Sequence, residues 1–161
     1  MMGIKQSWRT GLSFGLTSGV ITTLGLMVGL HSGTGSTLAV IGGVITIAVA
    51  DAFSDALGIH IAEESTAGRS TLAVWEATFA TLFSKAAIAL TFVVPLLLLE
   101  LGPAILVAIA WGLGLIALLS WHLARDRGEP AWRVIGEHLF IAVIVIIATH
   151  FIGDWVALVF G

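Results

Sequence analysis

Apolar residues run along this chain in five long blocks, separated by short polar interruptions. The blocks cover about 11–30, 38–61, 72–99, 103–123 and 134–160. A helix needs about 20 residues to cross about 30 Å of hydrocarbon, and each block reaches that length. None shows the period of two that marks a half-buried strand. Open strands also leave backbone groups unsatisfied in lipid. The pattern predicts an all-α integral membrane protein, one domain over residues 1–161 with five transmembrane helices. The third and fifth blocks exceed a straight crossing, so tilt or extension beyond the bilayer is expected. Pro95 inside the third block predicts a kink with freed backbone carbonyls. The first segment, MMGIKQSWRTG, is basic and leads into an apolar run without a small-x-small cleavage signal. It reads as a retained helix.

The polar interruptions set an orientation. His31–Thr37 and Glu100–Gly102 carry no Lys or Arg. The other segments hold Lys5 and Arg9, then Arg69, then Arg125, Arg127 and Arg133. Every cation except Lys85 thus falls on one side, which predicts a cytoplasmic N-terminus and an outer C-terminus. Trp8, Trp75, Trp121 and Trp132 fall near the cytoplasmic ends, as interfacial anchors do, and Trp111 lies mid-span against that rule. The longest non-membrane stretch is expected at about Ala124–Arg133, a short polar loop.

Composition narrows the class. The chain is 58% hydrophobic and 11% charged, where a soluble domain is about 45–50% apolar and about a quarter charged. A formal net charge of −3 gives no basic surface for nucleic acid. The absence of cysteine excludes disulfides, thiolate metal sites and thiol catalysis. No His-Glu-x-x-His, Gly-x-Ser-x-Gly or phosphate loop occurs, so neither an enzyme nor a bound cofactor is expected.

Against that sparse background, Asp51, Asp55, His60, Glu63 and Glu64 crowd the second block and the residues just after it. A charge at the bilayer centre costs roughly 2.5–3.5 kcal/mol on insertion scales. Asp51 and Asp55 lie one turn apart on one face, with Ser54 beside them. Their mutual repulsion is relieved by a proton, a cationic side chain or a divalent ion. One reading is a structural ion pair with Lys85, the only cation inside a span. The other is a cation or proton site, whose oxygen ligands suit Mn²⁺, Fe²⁺ or Mg²⁺. A lysine displaced by arriving metal would join the two.

His60, Glu63 and Glu64 stand at i, i+3 and i+4 near the cytoplasmic end, where Glu76, His122, Glu137 and His138 also lie. They form either a cation-collecting mouth or an ordinary solvated helix end. His150 and Asp154 are four apart in the last block, as a carboxylate orienting an imidazole or as a plain structural hydrogen bond. In the first block, Gly11, Gly15, Ser18, Gly19, Thr22, Gly25 and Gly29 share a face. Such a face serves close packing within one subunit or a homodimer seam. The Thr22 and Thr23 hydroxyls stand at mid-membrane, free to bond a neighbouring helix or line a pore.

The stretch SGVITTLGLMVGL, followed by VIGGVITIAVADAFSDALGIHIAEES, resembles the vacuolar iron transporter family of Fe²⁺/Mn²⁺ transporters. Thr23, Gly25, Val28 and Gly29 match that family's first-helix pattern. Ala50, Asp51, Ser54 and Gly58 match its second, and Pro95 and Thr149 to Gly153 are similar to its third and last helices. The resemblance implies a homodimer of five-helix subunits with the path along the first helix. It also implies export of Fe²⁺ or Mn²⁺ from the cytoplasm in exchange for protons. Four positions depart: Ser18 stands where an aspartate is expected, Asp55 replaces a methionine, and Ile59 and His60 replace an acidic-aromatic pair. The link at about Ala62–Thr71 is too short for the metal-binding insert of the family's eukaryotic members, so this is a short form.

A carboxylate in place of a thioether favours harder ions. The expected site is Asp51 and Asp55, helped by Thr22, Ser54 and Ser18. His60, Glu63, Glu64 and Glu76 collect the ion, and Lys85 compensates charge. The expected partners are a second copy, membrane lipid, a divalent metal and protons, in a multi-pass protein of the cell membrane if the host is prokaryotic. The alternative is a non-transporting membrane subunit whose buried charges are structural or bind a partner protein. A third is a proton-coupled carrier of another small solute.

Overall fold

The computed structural model describes residues 2–161, with side chains from Gln6 onward, so the Lys5 side chain lies outside the described residues. The helices are α1 (Met2–Thr34), α2 (Thr37–Glu64), α3 (Thr71–Thr91), α4 (Val93–Leu98), α5 (Leu101–Arg127) and α6 (Ala131–Phe160). No strand occurs among the described residues. Counting α3 and α4 as one crossing, five helical spans are long and apolar enough to traverse a membrane. The chain is an all-α protein of multi-pass integral membrane type.

The helices outrun the apolar blocks. Polar residues at the block ends continue the helices past the hydrocarbon, where water or headgroups solvate them. The loop expected at Ala124–Arg133 shrinks to Gly128–Pro130, because α5 runs on to Arg127 and α6 begins at Ala131. Gly128, at φ 67°, ends α5 in the left-handed region that glycine adopts without a Cβ penalty. The link expected at Ala62–Thr71 likewise shortens to Ser65–Ser70. Ser36 and Ser70 cap α2 and α3, each accepting a hydrogen bond from a backbone N–H three residues on.

The third span breaks at Phe92 rather than kinking at Pro95 itself. Proline has no N–H, and its ring crowds the carbonyl four residues back, here that of Thr91. The ladder therefore fails one turn ahead of Pro95, and the Phe92 N–H bonds to Ala89 instead. Trp111, out of place as an interfacial anchor, donates from Nε1 to Thr91 Oγ1 at 3.1 Å and ties α5 to this break.

α1 is the central helix. Half of its apolar stretch is buried, against 11% of that of α6. Val20, Leu24 and Met27 on α1 meet Val40 and Val44 on α2, Phe92 at the break, and Ile105 and Ile116 on α5. In lipid, burial of such side chains gives little drive, so close van der Waals contact carries the packing. The glycines of α1 provide it inside the subunit. A Cβ at Gly15 would lie 2.6 Å from the Thr81 carbonyl oxygen, and at Gly19 it would lie 2.5 Å from Ile88 Cγ2, both on α3. At Gly25 it would lie 3.0 Å from Val145 Cγ1, and at Gly29 it would lie 3.3 Å from the Thr149 carbonyl, both on α6. These glycines thus serve close packing within one subunit.

Candidate functional site

Midway along α2, the i, i+4 spacing turns Asp51 and Asp55 to the same side. α3 delivers Lys85 between them. The Lys85 residue is 1% exposed, and its Nζ lies 2.6 Å from Asp51 Oδ2 and also pairs with Asp55 Oδ2. Ser18 of α1 donates to Asp55 Oδ2 at 2.6 Å and accepts from Lys85 Nζ at 2.9 Å. Three helices thus converge on one charge cluster. Gly15 and Gly19 flank Ser18 and let α1 sit close enough to α3 for this contact.

The cluster is unevenly satisfied. Asp55 has both the ammonium and the Ser18 hydroxyl. Asp51 Oδ2 touches the ammonium, yet receives no aligned hydrogen bond. The Lys85–Asp51 ion pair is close but poorly directed. Two carboxylates and one ammonium sum to one negative charge. The Asp51 and Asp55 side chains are 30% and 21% exposed, so they open onto the outer side of α2. Ser54 is exposed beside them. Thr22 is exposed and donates to the Ser18 carbonyl at 2.9 Å, one turn above Ser18 on α1. Its neighbour Thr23 is fully buried, with a hydroxyl that finds no partner.

The four residues expected at a collecting mouth are dispersed. His60 Nδ1 lies 2.9 Å from Thr78 Oγ1, whose proton goes to the Val74 carbonyl, so the imidazole N–H is the donor. The His60 ring also meets the Trp75 ring edge-on. Glu63 is 7% exposed and is bound by Arg69 Nε at 3.0 Å and by the Ser7 hydroxyl at 3.2 Å. Arg69 donates to Ser7 as well, at 3.0 Å. This network staples α1, the end of α2 and the link to α3. Glu64 is exposed, and Glu76 is half-buried with one oxygen lacking a partner. No group of three or more His, Asp or Glu side chains converges on a metal-sized point among the described residues. The Ser7–Glu63–Arg69 network was not legible in the sequence, because Ser7 lies 56 and 62 positions from its partners and carries no charge.

Elsewhere, His150 Nε2 and Asp154 Oδ2 approach to 3.5 Å on α6, and His150 Nδ1 meets the Ser32 hydroxyl, which joins α6 to α1. Glu137 pairs with Arg133, and His138 with Ser120. His122 stands 4.0 Å from Asp126, which pairs with Arg9. No family model, curated protein or solved structure matches the chain.

Proposed function

We propose that this chain is a membrane transporter for a divalent cation, Mn²⁺ or Fe²⁺, moved out of the cytoplasm in exchange for protons. Asp51 and Asp55 are the ion-binding carboxylates in this reading, and Lys85 is their counter-ion in the metal-free state. The observation that carries it is a buried ammonium held between two carboxylates one turn apart inside a membrane span. A divalent ion arriving between the two carboxylates would displace the Lys85 ammonium that holds them together in the metal-free state. Ser18 and Ser54 offer hydroxyl oxygens beside the pair, and the poorly directed contact at Asp51 Oδ2 leaves that oxygen free to rebond. Oxygen donors of this kind suit hard and borderline ions. The likeness of the first two helices to vacuolar iron transporters supports the same cargo.

The proposed assembly is a homodimer. The glycine face of α1 is occupied within the subunit, so it no longer argues for a seam there. The outer face of α2 is better suited: Gly42, Thr46, Ala50, Ser54 and Gly58 recur every four residues and are exposed. A Cβ at Gly42 or Gly58 would meet nothing within 4 Å. A second copy on this face would cover the open side of Asp51 and Asp55.

The same Lys85 bridge would also suit a non-transporting subunit, since it neutralises most of the buried charge by itself. Proteoliposomes separate the two. A transporter takes up Mn²⁺ under a proton gradient and loses uptake in Asp51→Ala while keeping its fold. Flux equal to empty liposomes across several metals and gradients would reject transport, and unfolding of Asp51→Asn without any metal phenotype would favour the structural subunit.

A further inference from the structure

A second polar feature lies away from the carboxylate cluster. At the arginine-bearing end, α1, α5 and α6 enclose a cavity of about 220 Å³. Its walls are chiefly apolar, formed by Leu12, Leu16, Leu119 and Leu123. Its mouth is charged: Arg9 pairs with Asp126, and His122 Nε2 stands 4.0 Å from the same carboxylate. Inside, Ser120 is 2% exposed. Its hydroxyl donates to the Ile116 carbonyl at 2.6 Å and so accepts from His138 Nδ1 at 2.7 Å. Ser120 lies six residues before Asp126, about 9 Å along the helix at 1.5 Å per residue.

An apolar cleft with a charged mouth and interior hydrogen-bonding groups has the outline of an amphiphile. The sign of the charge is set nearby. Arg125 and Arg127 flank Asp126 and are exposed, with Glu129 just beyond them, so one positive charge remains in this segment after Arg9 and Asp126 have paired. Trp121, beside His122, and Trp132, in the first turn of α6, are exposed near the ends of their helices, where indoles favour the headgroup layer. Basic pockets between transmembrane helices at that depth suit phosphate headgroups, and the guanidinium fork matches phosphate oxygens. The volume is many times the roughly 10–15 Å³ of probe-occupied space that one water needs. That admits a headgroup fragment and the start of one chain, with the rest of the lipid left in the bilayer.

We propose that this cavity binds the phosphate of an anionic phospholipid. Arg9 holds the headgroup, and one acyl chain enters along the leucine wall. Asp126 occupies Arg9 when the cavity is empty and gives way to phosphate. The site is separate from Asp51, Asp55 and Lys85, and stands whether or not the chain moves a metal.

Native mass spectrometry of the purified chain in detergent tests it, with phosphatidylglycerol, phosphatidylcholine or inorganic phosphate added in turn. Phosphatidylglycerol should be retained at least tenfold better than phosphatidylcholine. Arg9→Gln should erase that preference, and Asp126→Asn should raise it several-fold. Ser13→Trp, which fills the cavity wall without altering charge, should reduce retention as Arg9→Gln does. Arg133→Gln, outside the cavity, should change nothing. Equal retention of the two lipids, or a preference untouched by both Arg9→Gln and Ser13→Trp, overturns the proposal. Displacement of the lipid by millimolar inorganic phosphate assigns the site to free phosphate and overturns it equally.

Discussion

Replacing Lys85 by methionine would keep most of the side-chain volume and remove the only counter-ion of Asp51 and Asp55 among the described residues. Removing one partner of a buried ion pair costs about 3–5 kcal/mol, because the other charge is left uncompensated. Lys85→Met should therefore lower the melting temperature in detergent markedly. Asp55→Asn in that background should recover part of the loss, because one fewer carboxylate then needs a partner. An unchanged melting temperature in the single variant would mean that the bridge contributes nothing. The charges in this cluster were legible in the sequence: Lys85 is the only cation inside a span, and Asp51 and Asp55 share a face by spacing alone. The hydroxyl that completes the cluster was not legible from spacing. Ser18 sits 37 positions from Asp55, and on the small-residue face of the first block it reads as a packing position. Glu63 shows the opposite failure. Its spacing from His60 suggested a shared ion, yet Arg69 and Ser7 consume its carboxylate.

Among the helices, α1 decides how closely the others approach. Gly15→Ala would push a methyl against the Thr81 carbonyl and the Ser84 hydroxyl on α3. Backbone does not yield as a flexible side chain does, so α1 and α3 must part. Overpacking of this kind costs about 1–3 kcal/mol. Gly114→Ala on α5, where a Cβ would meet nothing within 4 Å, should instead gain up to about 1 kcal/mol from helix propensity. Paired thermal melts in one detergent check both signs, and equal shifts would refute the packing argument. The sequence displayed the small-residue face plainly but could not say which surface it met. Glycines every four residues permit close approach to any helix, and only three-dimensional packing picks α3 for the lower half of α1 and α6 for the upper half. The third span shows a similar limit. Pro95 announced a disturbance, while its position at Phe92 follows from the carbonyl that the ring displaces.

At the scale of the whole molecule, run length and hydropathy were sufficient to read five crossings, because lipid leaves the backbone few choices. Assembly is written less directly, in which faces remain open after the bundle has formed. The outer face of α2 stays open beside a cluster with one net negative charge. Since the chain has no cysteine, single-cysteine variants report on that face without background. Ser54→Cys should form a disulfide-linked dimer in native membranes under mild oxidant, and Ile144→Cys, exposed on α6, should not. Cross-linking at Ile144 with none at Ser54 would move the seam away from α2.

The count of crossings has one more consequence. Five is odd, so whatever precedes α1 and whatever follows α6 lie on opposite faces of the membrane. A second copy joined directly to the first in one polypeptide would thread upside down. Two such bundles standing side by side in the same sense must therefore come from separate polypeptides, or from a fusion that adds one further crossing between them. Tandem-gene designs meant to lock a parallel pair need that sixth helix in the linker, and designs without it would produce an inverted repeat.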